Sequence, residues 1–243
     1  MKILVSQKTP SNLNAYKALE EKYGATVEFV PFFLIEPLSA KEFRAQRINL
    51  PDYTAIVFSS RHAIDAYFKL CEEMRFKVPE TMKYFCTTEL VALYLQKHVV
   101  YRKRKIFFGD GTPQSVVSLI GPKHKGEKFL IVTSAESNGG ALTALFEKAG
   151  LDVTVSVMVK SVTQDISGVD LSQYGAVVLY NPYDLKSLLA SFPGFSQGDL
   201  AFISYGRSIT RELEAGGYRI AVQGPSEDVP SAAKAIDIFL SSR

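Results

Sequence analysis

The sequence predicts an α/β protein with two domains, each built on a parallel sheet. Short apolar runs alternate with segments of helical periodicity along almost the whole chain of 243 residues. One strand–turn–helix unit occurs twice, as AIVFSSRHAIDAYF at 55–68 and AVVLYNPYDLKSLL at 176–189. Two linker-like segments, 32–39 and 160–170, interrupt the alternation. Together these three observations indicate two similar units made of βαβ elements.

The predicted elements follow one another in the order expected for βαβ units. Apolar runs rich in β-branched residues predict the strands, and apolar residues at helical spacing predict the helices. Thr112 before Pro113 is typical of a helix start, and Gly150 of a helix end. The predicted strands are 2–6, 26–31, 54–58, 83–86, 99–101, 106–108, 128–132, 153–159, 176–180, 200–204 and 218–222. The predicted helices are 12–23, 61–75, 88–97, 113–120, 138–149, 184–190, 207–215 and 229–241.

The two linkers predict that one domain is discontinuous. Residues 1–35 form a single βαβ unit that is too small to bury a core alone, and residues 162–243 contain three strands without partners. We therefore expect these two segments to form one domain, with residues 36–161 as an inserted second domain. The chain would then cross twice between the domains in extended segments, which allows hinge motion. We expect the active site in the cleft between the domains.

Composition excludes several classes of protein. With 47% apolar and 22% charged residues, the chain resembles ordinary globular proteins and not disordered ones. No apolar run reaches the length of a membrane span, and MKILVSQK at the N-terminus lacks the features of a signal peptide. We therefore expect a cytoplasmic protein without a membrane partner. Cys71 and Cys86 lack metal-ligand spacing and the three histidines are scattered, so we expect no metal site.

The net charge of +3 is too small to indicate a nucleic-acid partner, and none is expected. The most basic segment is KHVVYRKRK at 97–105. It has two interpretations: a solvated helix end and strand edge, or a surface that attracts an anionic ligand. Aromatic residues are not interleaved with its charges as they are in RNA-binding sheets.

Motifs that mark common cofactor and nucleophile sites are missing from the sequence. It contains no Walker A loop, no GxGxxG, no GxSxG, no CxxC and no HExxH. FFGDGTPQS at 107–115 has two glycines but neither the third glycine nor the lysine that a phosphate-binding loop needs. The sequence therefore predicts a reaction without a cofactor, or simple binding.

Polar residues recur where predicted strands end and helices begin. In open parallel sheets, ligands bind at this edge, because helix N-termini and polar turn residues lie there. Two interpretations stay open for each residue: it caps a helix, or its polar group faces a cleft that binds carboxylates. The residues concerned are Ser59, Ser60, Thr87, Thr88, Thr133, Ser134, Tyr180, Asn181, Tyr205, Gly206 and Ser208, with Arg61, Lys160 and Arg207 as nearby cations.

Taken in order, the motifs resemble those of the uroporphyrinogen-III synthase family. FSSRHAIDAYF at 58–68 is similar to the family's FTSPxAV unit, and LYNPYDLKSLL at 179–189 is similar to its second copy. The segment 204–236, which begins SYGRSITREL, resembles the family's C-terminal segment. Each motif alone is weak, but the ordered set is specific and covers nearly the whole chain.

This resemblance implies two flavodoxin-like α/β domains joined by a two-stranded linker. It also implies a lyase of haem biosynthesis whose substrate is hydroxymethylbilane, a linear tetrapyrrole rich in carboxylates. Loss of the hydroxyl as water gives an azafulvene, which is attacked through a spiro intermediate so that ring D is inverted as the macrocycle closes. No cofactor or metal is implied, and the protein acts mainly by orienting the substrate and stabilising developing charge.

The sequence departs from the family pattern at the expected site. Met158 lies near the position of a family tyrosine that is suggested as the acid, and Ile209 replaces a threonine. Asn-Pro-Tyr-Asp at 181–184 replaces Ser-Pro-Ser-Gly. We expect Tyr205 or Tyr180 to supply the proton, since a phenol with a pKa near 10 can act only as an acid here.

These departures leave more than one function open. The first interpretation is an active uroporphyrinogen-III synthase, expected to be a monomer. The second is a weakened relative that binds a tetrapyrrole or another polyanion without turnover, and the third is an unrelated α/β protein that binds a small ligand. For the first, the expected substrate-binding residues are Ser59, Ser60, Arg61, Thr133, Ser134, Asn181, Gly206, Arg207 and Ser208.

Overall fold

The computed structural model describes residues 1–137 and 139–243. Its strands are β1 (Lys2–Val5), β2 (Thr26–Phe29), β3 (Phe33–Pro37), β4 (Ala55–Phe58), β5 (Lys83–Cys86), β6 (Ile106–Phe108), β7 (Lys128–Ser134), β8 (Asp152–Thr163), β9 (Tyr174–Leu179), β10 (Ala201–Tyr205) and β11 (Ile220–Gly224). Its α-helices are α1 (Asn14–Tyr23), α2 (Ala40–Arg44), α3 (Arg61–Glu73), α4 (Glu89–Tyr94), α5 (Pro113–Ile120), α6 (Gly140–Lys148), α7 (Pro182–Ser191), α8 (Arg207–Ala215) and α9 (Ala232–Ser241).

The chain divides into two compact units. Unit 1 consists of Met1–Leu34 and Val162–Arg243, and unit 2 consists of Ile35–Ser161. The boundaries fall inside β3 and β8, which are neighbours at one edge of the second sheet. The predicted α/β class with parallel sheets is confirmed. In the described part of the chain, no helix has the length and apolar character that crossing a membrane requires.

Unit 1 contains a five-stranded sheet in the order β11-β10-β9-β1-β2, in which every neighbouring pair is parallel. Its first strand thus lies between its second and third strands, as in flavodoxin. Alternating side chains point to opposite faces of β9. Val177 and Leu179 pack with α7 and α8 on one face, and Ala176 and Val178 pack with α1 and α9 on the other. The sheet is therefore covered on both sides.

Unit 2 contains a six-stranded sheet in the order β3-β8-β7-β4-β5-β6. The five strands from β8 to β6 are paired in parallel. Ile56 and Phe58 of β4 pack with α3, whereas Ala55 and Val57 pack with α5 and α6 on the opposite face. Helices again cover both faces, which explains why β4 is buried at every position.

Several element boundaries differ from those predicted. Residues 99–101 form no strand, and Val100 among them is 78% exposed. β8 runs to Thr163, further than predicted, and residues 33–37 of the first linker form β3. The short helix α2 was not predicted, although Ser39 and Glu42 form a capping box at its start. The predicted start of α6 at Asn138 lies outside the described residues.

The core of unit 2 provides a test of the packing. Phe129 is fully buried, with ring centroids 5.5 Å from Phe85 and 5.2 Å from Phe146. We predict that Phe129→Ala lowers the free energy of unfolding by about 3–5 kcal/mol, because a cavity replaces these contacts. Leu90→Ala is the control, since Leu90 is 66% exposed and its loss changes stability by less than about 0.5 kcal/mol. Urea denaturation measures both, and equal effects would contradict this packing.

Candidate functional site

Polar residues collect at the carboxyl edge of the unit 1 sheet. From β1 the chain continues to β2 on one side, while β9, β10 and β11 lie on the other, so the switch point of the strand order lies between β1 and β9. Val5 pairs with Val178, and Ser6 follows β1 as Tyr180 and Asn181 follow β9. Ligands bind at such switch points in open α/β sheets.

A buried carboxylate joins the two strand ends at this switch point. Asp184, in the first turn of α7, accepts three hydrogen bonds at Oδ2. The donors are Ser6 Oγ at 2.8 Å, the Tyr180 backbone N–H at 2.7 Å and the Asn181 backbone N–H at 3.0 Å. Asn181 completes the capping box, because its Oδ1 accepts the Tyr183 backbone N–H at 3.0 Å. Asp184 thus ties the β9–α7 turn to the end of β1.

The surroundings of Asp184 disfavour its charged form. The side chain is fully buried, and its Oδ1 has no hydrogen-bond partner within the described part of the chain. Burial raises the pKa of this carboxyl to about 6, and the three hydrogen bonds only partly oppose that effect. Asp184 is therefore ionised at neutral pH at a cost in stability.

Three tyrosines lie beside this turn. The rings of Tyr180 and Tyr205 meet edge to face, with centroids 5.7 Å apart. Burial, and then the neighbouring Tyr16, raise the pKa of Tyr180 above its ordinary value. Burial likewise raises the pKa of Tyr16. The Tyr205 hydroxyl donates a hydrogen bond of 2.7 Å to the carbonyl oxygen of Pro230.

The turn from β10 into α8 needs glycine because two backbones approach each other closely. A Cβ at Gly206 would lie 2.7 Å from the carbonyl oxygen of Tyr180. Gly206 gives α8 no side-chain cap, and Arg207 and Ser208 are exposed in the first helical turn. Ile209 is fully buried in the core of unit 1. This helix N-terminus therefore presents backbone N–H groups and a cation, but no hydroxyl at position 209.

Unit 2 has a second polar edge at its own switch point, which lies between β4 and β7. Phe58 pairs with Val132. The next residues, Ser59 and Ser60 on one strand and Thr133 and Ser134 on the other, therefore end neighbouring strands. Exposed Arg61 begins α3 and lies over the ring of Tyr94, 5.4 Å from its centroid.

Most hydroxyls at the unit 2 edge already accept hydrogen bonds from backbone N–H groups. Ser60 Oγ accepts the Ala63 backbone N–H at 3.1 Å and caps α3. Thr133 Oγ1 contacts the Ser137 hydroxyl and accepts the Gly139 backbone N–H at 3.1 Å. Ser134 Oγ accepts the Ser137 backbone N–H at 3.3 Å. Ser59 is exposed, and its side chain makes no hydrogen bond within residues 1–137 and 139–243.

The structure brings the predicted site residues together in two groups, one in each unit. The group in unit 2 consists of Ser59, Ser60, Arg61, Thr133 and Ser134, and the group in unit 1 consists of Tyr180, Asn181, Tyr205, Gly206, Arg207 and Ser208. Met158 belongs to neither group, since it is buried in the core of unit 2. Among the described residues, no three His, Cys, Asp or Glu side chains are arranged to hold a metal ion.

Sequence reasoning missed part of the unit 1 group. Asn181 and Asp184 have the spacing of a capping box, so this contact had a local signal. Ser6 and Tyr16 had none, because their partners are far along the chain. Thr210 was also missed, and its Oγ1 hydrogen-bonds to Ser204 Oγ at 2.9 Å.

Comparison with known families identifies the family of this chain. A model of the family described as uroporphyrinogen-III synthase HemD matches residues 14–234. The chain belongs to the uroporphyrinogen-III synthase family. The resemblance of its motifs is thereby confirmed, and membership implies a lyase that cyclises hydroxymethylbilane in haem biosynthesis.

Solved structures of uroporphyrinogen-III synthases share the fold. The enzyme from Helicobacter pylori matches with a TM-score of 0.58 and 15% identity, over 100% of this chain and 99% of that one. A mutant enzyme from Thermus thermophilus matches with a TM-score of 0.52 and 14% identity, over 100% of both chains. No curated protein matches the sequence. This chain is thus a divergent family member.

The capping role of Ser60 can be separated from substrate binding. We predict that Ser60→Ala lowers the free energy of unfolding by about 1 kcal/mol, because the Ala63 N–H loses its acceptor. Ser59→Ala is the matched control and changes stability by less than about 0.5 kcal/mol. Urea denaturation compares the two variants. A Ser60→Ala protein as stable as the wild type would mean that this cap contributes nothing.

Burial of Asp184 predicts an unusual dependence of stability on pH. The pKa of Asp184 is about 6 in the folded protein, whereas its ordinary value, expected in the unfolded chain, is 3.8. Between these two pH values the folded protein therefore binds this proton more tightly than the unfolded chain does. A difference of about two pH units, at about 1.4 kcal/mol each, gives about 3 kcal/mol. This contribution is present at low pH and is lost as the pH rises through about 6.

Asp184→Asn removes this titration. We predict that the free energy of unfolding of the wild type, minus that of the variant, falls by about 2 kcal/mol, most of that total, as the pH rises from about 4 to about 7. The other carboxylates titrate in both proteins and cancel in the difference. Urea denaturation across this pH range measures it, and a flat difference curve would contradict the buried, ionised carboxylate.

Proposed function

We propose that the chain converts hydroxymethylbilane into uroporphyrinogen III, with loss of water and inversion of ring D. The observation that supports this most directly is the family match over 14–234. The proposal is also supported by polar strand ends at the switch point of each sheet, where a ligand rich in carboxylates meets donors. We propose further that both edges bind one substrate molecule; the cleft expected between the domains stays a prediction.

The substrate carboxylates are proposed to bind at helix N-termini. α8 is the strongest candidate, because Gly206 leaves its first N–H groups without a side-chain cap and Arg207 adds a positive charge. Ser208 provides a hydroxyl in the same turn. In unit 2, exposed Ser59 and Arg61 have the same roles beside α3. Four further contacts are proposed through side-chain oxygens that already accept a backbone N–H: the hydroxyls of Ser60, Thr133 and Ser134 and the amide of Asn181.

Departure of the hydroxyl requires a proton, because hydroxide is a poor leaving group. We propose Tyr205 as the donor and Tyr180 as the second candidate. Burial raises the pKa of Tyr180, so its proton is held more tightly. The Tyr205 hydroxyl donates its proton to the carbonyl oxygen of Pro230, a contact that the leaving hydroxyl can replace. Ring closure then releases a proton, which the phenolate left on the donor takes back, so that water is the net loss.

The decisive experiment supplies freshly made hydroxymethylbilane and separates the type I and type III isomers. Because type I forms spontaneously, only excess type III demonstrates catalysis. A second candidate function is binding without turnover, which is favoured by the buried Met158 and Ile209 at positions where the family pattern has hydroxyls. Saturable binding of a tetrapyrrole without excess type III would support that alternative. We further expect a cytoplasmic monomer that needs no cofactor.

The proton donor is tested by removing single hydroxyls. We predict that Tyr205→Phe lowers kcat for type III product by about 10²–10⁴-fold, the usual range for general acid assistance. Tyr180→Phe is expected to have the smaller effect. Tyr174→Phe is the control, because its hydroxyl bonds to Glu28 and it lies at the amino end of β9. If Tyr205→Phe and Tyr180→Phe both keep nearly full rate, neither tyrosine is the acid.

A further inference from the structure

We infer that Asp184 is a positioning residue for this reaction, because it fixes the Tyr180–Asn181 turn against the end of β1. The inference rests on the proposed function and adds a residue that none of the sequence motifs assigned to it. Asp184 does not contact the substrate in this account. It acts through Tyr180, the second proton-donor candidate, and through Asn181, a proposed binding residue.

One carboxylate oxygen of Asp184 makes all of the hydrogen bonds that hold this turn. Oδ2 accepts hydrogen bonds from Ser6 Oγ, from the Tyr180 N–H and from the Asn181 N–H, at 2.7–3.0 Å. Ser6 lies 178 positions away along the chain, so this bond crosses the switch point between β1 and β9. The turn that carries Tyr180 is thereby held from both strands.

Capping alone does not account for a carboxylate at this position. Asp184 is fully buried and makes no ion pair among the described residues. A buried charge without a cationic partner is costly, and a neutral amide could cap the helix without that cost, but it would hold the three donors less firmly than a charged oxygen does. Charges that lower the stability of a protein are found mainly at functional sites. A buried charge at this edge of the sheet therefore favours a functional role for Asp184.

The charge also acts on the neighbouring phenol. Asp184 contributes to the raised pKa of Tyr180, after burial and Tyr16. Tyr180 is the titratable group that faces Asp184 from the β9–α7 turn, and Ser6 faces it from β1 without titrating. Tyr16 of α1 and Tyr205 of β10 influence this group through Tyr180. An ionised Asp184 therefore keeps the Tyr180 proton in place and its turn fixed.

The test compares Asp184→Asn with Ser6→Ala, using Asp170→Asn as the matched control. Asp170 also accepts a backbone N–H, from Ser172 at 3.1 Å, but it is exposed and precedes β9. We expect Asp184→Asn to stay folded. It should lower kcat for type III product by about 10–100-fold with little change in KM, because displacing a catalytic group by about 1 Å can reduce the rate by that much. Ser6→Ala is expected to lower kcat several-fold, and Asp170→Asn to leave it unchanged.

The pH profile separates positioning from a merely structural role. Below a pH of about 6 the wild-type carboxyl is protonated and holds its donors less well, so kcat should fall there. Asp184→Asn cannot titrate and should lose this limb of the profile. Folded variants with wild-type kcat and an unchanged profile would overturn the inference. If Asp184→Asn fails to fold, Ser6→Ala decides by itself, and unchanged kcat in that folded variant overturns the inference.

The wild-type protein distinguishes this inference from the function on which it rests. Wild-type protein that yields no excess type III isomer contradicts the proposed function, and the inference falls with it. Active wild-type protein together with fully active Asp184→Asn contradicts the inference alone.

Discussion

Burial of both faces of a parallel sheet is the constraint on which the rest of this structure depends. In unit 1 the two faces of β9 pack against different helix pairs, and in unit 2 the same holds for β4. Strands enclosed in this way are apolar at most positions, so they offer few polar groups along their length. Chemistry is therefore confined to the strand ends. The two switch points, one in each sheet, are the places where neighbouring strand ends leave room for a ligand.

This confinement makes the same residues serve two purposes. The helices that cover the sheets begin at the edge where open α/β sheets generally bind ligands, and their first N–H groups need acceptors. Ser60 and Asn181 provide such acceptors and are therefore partly committed to the backbone. Gly206 provides none, because the Tyr180 carbonyl leaves no space for a side chain. Close backbone approach thus leaves the first N–H groups of α8 without a side-chain cap.

The departures from the family pattern are absorbed by the fold in different ways. Met158 and Ile209 are core residues, so their loss of a hydroxyl is matched by apolar packing. Asn-Pro-Tyr-Asp at 181–184 instead builds a new polar structure, since a carboxylate replaces the glycine of the family pattern. The first two changes remove possible donors. The third adds a buried charge at the switch point, which we propose positions the Tyr180–Asn181 turn.

Local patterns in the sequence determined the α/β class, most helices and strands, the caps at Ser60 and Asn181, and the family. Periodicity and capping act over a few neighbouring residues, so one chain segment is enough to recognise them. They failed at 99–101, where a short apolar run forms no strand and Val100 is left exposed. The tertiary structure alone decided the order of the strands, the burial of Ile209, and the contacts of Ser6 with Asp184 and of Tyr205 with Pro230. These depend on contacts between distant segments, which no local periodicity encodes.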